Sequence, residues 1–111
     1  MTLGTVVRMW RGQTLPENAD AYHRHVTETV FPALTRIAGH EGAFVLRRET
    51  EGRVEFLVVT LWQSMDAVRS FAGADAERAV IEPAARAVLV ELDDFVRHYR
   101  VVHEQRLGHA V

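Results

Sequence analysis

The chain has 111 residues, 13 of them basic and 15 acidic, for a formal charge of −2 with histidine neutral, and 48% of its residues are hydrophobic. This mixture describes one globular domain and excludes a disordered chain, a fibrous repeat and a basic nucleic-acid binder. A folded monomer of this size buries only about two thirds of the surface its unfolded chain exposes, so an oligomer is expected.

Two absences narrow the chemistry. There is no cysteine, and all 13 basic residues are arginine. Disulfides, thiolate nucleophiles, thiolate metal centres and lysine imines are thereby removed. The only serines, Ser64 and Ser70, lie outside any Gly-x-Ser-x-Gly turn. Catalysis must draw on histidine, tyrosine, tryptophan, arginine or a carboxylate. The segment from Met1 to Trp10 lacks the pattern of a secretory signal, and no apolar run is long enough to span a membrane. A cytoplasmic location is expected, with no membrane and no nucleic-acid partner.

In chain order, residues 3–11 are rich in Val, Met and Trp and read as a strand ending at Gly12. Pro16 opens a helix, where its missing N–H would have had no partner. Tyr22, Val26, Val30, Ala33, Leu34 and Ile37 then recur at helical spacing as far as Gly39. Pro32 sits inside this stripe and removes the bond to the carbonyl of Glu28, which predicts a kink or break near Phe31. Residues 43–50 and 54–62, separated by Glu51, Gly52 and Arg53, read as a hairpin. Ser64 caps a helix running to Gly73, and Asp75 caps a second one towards Ile81. Pro83 interrupts that helix, and residues 84–89 continue as a further helical piece. Residues 95–104 form a final strand, with 105–111 as a tail.

Strand, helix, two strands, short helices and strand make an α+β protein. The order suits a ferredoxin-like split βαβ sandwich over residues 1–104, with a four-stranded antiparallel sheet and helices on one face. Val6, Val7, Leu57, Val58, Val59 and Leu61 place apolar side chains on both sides of their strands. The second face therefore calls for a partner subunit, and a homodimer is expected.

The run Val54-Glu55-Phe56-Leu57-Val58-Val59-Thr60-Leu61-Trp62-Gln63-Ser64-Met65-Asp66-Ala67, followed by Phe71-Ala72-Gly73-Ala74-Asp75, resembles the antibiotic biosynthesis monooxygenase family. Its members share a strand ending in Trp-x-Ser and then a helix containing Ala and an aromatic. The resemblance implies a dimeric α/β barrel with a ligand pocket between sheet and helices in each subunit. It also implies a small cofactor-independent monooxygenase acting on an aromatic or polyketide-like molecule, whose carbanion or phenolate meets oxygen without metal or flavin. An isomerase or cyclase on the same fold, and a non-catalytic dimeric ligand-binding protein, are the rival readings. The asparagine, tryptophan and histidine of haem-degrading members register at about Trp10, Phe71 and Ile81, so their polar group and iron ligand are absent. The asparagine, tyrosine and arginine of quinone-forming members register at about Val58, Val68 and Glu82, while their tryptophan matches Trp62. A different base is then needed to deprotonate the substrate.

His98 is the first choice for that base, because imidazole titrates near neutral pH and a rigid strand can aim it. The competing role is a histidine hydrogen-bonded within the sheet or dimer interface. His25, one position before Val26 on the helical stripe, is the second choice, facing either the pocket or the stripe's wet edge. His23 lies about 200° from it around a helix, and no His-Glu-x-x-His motif occurs, so no metal site is expected. Arg8 lies between Val7 and Met9 in an apolar strand, where its guanidinium needs either Glu55 or a ligand anion. In the second case Arg8 grips a phenolate or carboxylate while Trp10, on the same strand face, stacks on a small aromatic ligand. Trp62 and Tyr22 complete the expected substrate pocket.

Overall fold

The computed structural model describes residues 3–107. Strand β1 (Val6–Thr14) lies inside the sheet, paired on both edges. A 3₁₀ turn at Pro16–Asn18 leads into α1 (Ala19–His25), a π-helical segment at Val26–Val30 and α2 (Phe31–Leu34). The interruption near Phe31 takes the form of this π segment, and Pro32 explains it. Pro32 has no N–H for the carbonyl of Glu28, and the N–H of Phe31 reaches back five residues to Val26.

The hairpin forms from β2 (His40–Thr50) and β3 (Arg53–Trp62) around Glu51 and Gly52, with Gly52 at φ +71°. Helix α3 (Met65–Ala72) starts where Ser64 Oγ accepts the N–H of Ala67 at 3.2 Å and stops at Gly73, φ +86°. Beyond it the structure departs from the sequence reading. Residues 73–82 form an irregular strap instead of a helix begun by Asp75. Its backbone groups bond sideways: Ala79 N–H to the Asp94 carbonyl and Val96 N–H to the Glu77 carbonyl, each at 2.8 Å. Groups satisfied in that way are not available to a helical turn.

After α4 (Pro83–Val88) come two short strands, β4 (Leu89–Leu92) and β5 (Arg97–Arg100). Residues 89–92 were outside the expected final strand, which shrinks to β5. Both strands pair antiparallel with the same edge of β1, β4 at Gly12, Gln13 and Thr14, β5 at Val6, Val7, Arg8 and Met9. The sheet therefore has five strands in four positions, ordered β2-β3-β1-β4 with β5 continuing beside β1. This is the ferredoxin-like arrangement with its last strand interrupted. Residues 101–107 have no regular structure, and residues 108–111 of the expected tail lie outside the described residues.

The register decides which side chains share a face. Val6 opposes Trp62, Arg8 opposes Thr60 and Trp10 opposes Val58, all towards the helices. Two clusters fasten the helical layer there: Val6, Leu34, Trp62, Ala67, Val68 and Ala76, and Ala19, Tyr22, Val26, Val54, Phe56 and Ala85. Isolated helices this short are marginal in water, so packing holds them. On the other face, Val7, Met9, Leu57, Val59 and Leu61 continue into Phe44, Leu46 and Tyr99, which are 42%, 46% and 53% exposed. Ion pairs close one end of this face, with Glu55 held by Arg11 at 2.5 Å and by Arg48 at 2.9 Å. Among the described residues no helix is long and apolar enough to cross a membrane.

Candidate active site

Between the helix-facing side of the sheet and the helices lies a mostly apolar cavity of about 240 Å³. Its sheet wall carries Arg8, Trp10, Val58 and Thr60, α1 brings Tyr22 and His25, and the strap adds Ile81 and Glu82. Gly12 shapes that wall, because a Cβ there would overlap the six-membered ring of Trp10. The indole N–H of Trp10 donates to the Asp93 carbonyl at 2.7 Å, and its ring lies 6.2 Å from that of Tyr22. Burial pushes the Tyr22 phenol above its ordinary range, so it stays neutral at physiological pH.

Arg8 is 4% exposed, and its partner is not Glu55. The expected pair fails on strand parity: Arg8 faces the helices, whereas Glu55, opposite Gln13, faces the other way. Arg8 Nη1 instead donates to the Ala76 carbonyl at 2.5 Å and to His98 Nε2 at 2.9 Å, and Nη2 donates to the Arg78 carbonyl at 3.1 Å. Its guanidinium also lies 5.6 Å from the centre of the Phe71 ring. Among the described residues no carboxylate comes within ion-pair distance, and Nε–H with one Nη2–H has no protein acceptor. Burial pushes this guanidinium down to about 10, leaving it protonated at neutral pH.

His98 stands behind Arg8 and does not line the cavity. Guanidinium only donates, so His98 Nε2 is unprotonated and the proton of the neutral ring sits on Nδ1. Burial, then the positive charge of Arg8, hold this imidazole below the usual histidine value. Glu77 opposes that shift and Arg69 adds to it. His25 does line the cavity. Its Nε2 is closed off from solvent, has no hydrogen-bond partner among the described residues and lies 3.9 Å from a Glu82 carboxylate oxygen.

Trp62 is a correction to the expected pocket. It is wholly buried and stacks behind Phe71 with ring centres 5.5 Å apart, while its indole N–H donates to Thr60 Oγ1 at 2.8 Å. It supports two lining residues without lining the cavity itself. In Trp-x-Ser, then, the tryptophan braces the wall and the serine caps α3.

Glu82, Thr60 and Phe71 were not singled out as site residues from sequence. Glu82 carried a signal in being followed by Pro83, which holds it extended at φ −74°, ψ 152° just before α4. Thr60 became recognisable only with the register that sets it opposite Arg8. Of the positions registered to family residues, Trp10, Val58, Phe71, Ile81 and Glu82 line the cavity, and Val68 is buried in the core.

Solved structures share the architecture. A Bacillus cereus protein named as a candidate antibiotic biosynthesis monooxygenase is 14% identical, with 94% of this chain and 99% of that one covered at a TM-score of 0.66. SnoaB, a cofactor-independent oxygenase from Streptomyces nogalater, is 18% identical over 96% of this chain and 99% of its own, TM-score 0.59. The heme-degrader MhuD from Mycobacterium tuberculosis, with two hemes bound in its active site, is 21% identical over 91% of this chain and 99% of its own, TM-score 0.59. At these identities the likeness establishes the fold. No curated protein matches the chain by sequence. The family model for antibiotic biosynthesis monooxygenase, however, matches residues 5–83, most of the length, and the chain belongs to that family.

Proposed function

We propose that this protein is a cofactor-independent monooxygenase acting on a small aromatic or polyketide-like phenol, and that it works as a homodimer. The observation that carries the reading is a cavity whose wall combines two aromatic side chains, Trp10 and Tyr22, with a buried arginine and a histidine Nε2 that, among the described residues, have no carboxylate partner and no hydrogen-bond partner respectively. In the reaction, the phenol loses its proton and the electron-rich ring carbon para to it attacks oxygen. One oxygen atom becomes a quinone carbonyl, the other leaves as water with two substrate hydrogens, and the substrate supplies all the electrons. His25 is the base, because of the two candidate histidines it alone reaches the cavity. Arg8 holds the negative oxygen through its two open donors, and Trp10 and Tyr22 flank the ring.

The dimer reading rests on the other sheet face. Its apolar centre and adjoining rim of opposite charges, Arg11, Arg48, Glu55 and Glu91, suit a second copy related by a two-fold axis.

The test is oxygen uptake by purified, metal-free protein given hydroxynaphthalenes and related phenols. One oxygen consumed per quinone formed supports the proposal, and product formation without oxygen points to an isomerase or cyclase. No turnover across a broad aromatic panel would remove the enzymatic reading.

A further inference from the structure

The cavity's size and charge restrict what it accepts more narrowly than the function proposed above, on which this inference rests. An apolar cavity of about 150 Å³ holds one benzene ring, and the same packing in this larger space admits about ten ring atoms, or two fused rings. The volume here is about 240 Å³. A third ring would have to protrude from the cavity and would gain little apolar burial.

The walls fix the charge of the guest as well. Arg8 is almost fully buried and protonated, has no carboxylate partner among the described residues, and keeps Nε–H and one Nη2–H open. A buried cation in that condition is stabilised by an anion that brings its own acceptors. Among the described residues Glu82 is the one carboxylate on the lining, and its side chain is 49% exposed, so water screens its charge far more than that of Arg8. Arginine therefore sets the preference. We infer that the guest is a planar monoanion of two fused rings, its carboxylate or phenolate oxygen on the open donors of Arg8 and its rings beside Trp10 and Tyr22.

Calorimetric titration of the unaltered protein tests this with benzoate, 2-naphthoate, anthracene-2-carboxylate and the uncharged 2-naphthamide. Burying four further ring carbons makes 2-naphthoate bind about tenfold or more tighter than benzoate. The third ring adds less than about threefold, because its atoms lie outside the cavity. The amide binds about tenfold or more weaker than the acid, since Arg8 faces no negative charge. Arg8 also holds the strap, so Arg8→Lys, which keeps the charge, accompanies Arg8→Gln. The difference between acid and amide persists in part in the first and disappears in the second. Anthracene-2-carboxylate binding tenfold tighter than 2-naphthoate, equal affinity for acid and amide, or no binding of any compound would each overturn the inference. The predicted order, combined with no oxygen uptake from hydroxynaphthalenes, would sink the oxygenase reading and leave this one standing.

Discussion

Arg8 and His98 oppose one another on neighbouring strands, and Arg8 Nη1 donates to His98 Nε2 at 2.9 Å. That bond uses the lone pair a general base would need, so His98 positions the guanidinium, and the function proposed above gives proton transfer to His25. His98→Gln offers an amide oxygen to the same donor and lowers stability by no more than about 1 kcal/mol in urea unfolding. His98→Leu leaves the buried donor unpaired and costs about 1–3 kcal/mol. In turnover, His25→Ala lowers kcat by about 10²–10⁴, whereas His98→Gln stays close to the unaltered protein. A deeper loss in His98→Gln than in His25→Ala would reverse the two roles.

Acid sensitivity follows from the same histidine together with His40. Burial is the main cause of depression for both imidazoles. Arg8 adds to it at His98, and a backbone hydrogen bond involving Leu61 works against it at His40. The unfolded chain therefore takes up these protons first. Stability is complete above the unfolded value of about 6.5 and declines as pH falls from there towards the depressed folded values. Thermal unfolding followed from pH 8 to pH 5 should show that decline, and His98→Gln should flatten it.

Gly12→Ala places a methyl group where the Trp10 ring lies. Overpacking of this kind costs about 1–3 kcal/mol. The displaced indole also loses its bond to the Asp93 carbonyl, so tryptophan emission should shift to the red and 2-naphthoate should bind more weakly. Unchanged emission and binding would show that the ring yields without reshaping the cavity.

Phe44 and Leu46 face away from the helices and are largely exposed in a single chain. Phe44→Glu with Leu46→Glu disturbs no helix-side packing, so circular dichroism should stay native. Analytical ultracentrifugation should then show monomers where the unaltered protein sediments as a dimer. Equal sedimentation of the two would end the proposal that a second copy covers this face.

The local parts of the fold could be read from sequence, and the parts that depend on distant partners could not. The hairpin and the serine-capped helix are specified within a few residues by Gly52, Ser64 and Gly73. Asp75 offered an equally good cap, but the backbone it introduces bonds to the chain around Asp94 and to the side chain of Arg8, 68 residues away from Ala76. A parity error explains the Arg8 and Glu55 assignment, because one step of register exchanges the faces of a strand. His25 and Arg8 were identifiable as candidates by residue type and pattern. That one lines the cavity and the other clasps the strap depended on packing.

The five-residue π segment at Val26–Val30 also governs how two halves of one helix are aligned. Before it come Tyr22 and His25, which carry polar groups on the cavity wall, and after it comes Leu34, which anchors the helix in the core. The wide turn takes up one extra residue: five residues at roughly 82° each and four α-helical residues at about 100° each cover nearly the same arc, so deleting one residue here restores ordinary winding with the two halves still aligned. Tyr22 and His25 would stay on the cavity while Leu34 kept its seat, so this joint is where the helix can change length by one residue without reshaping the site.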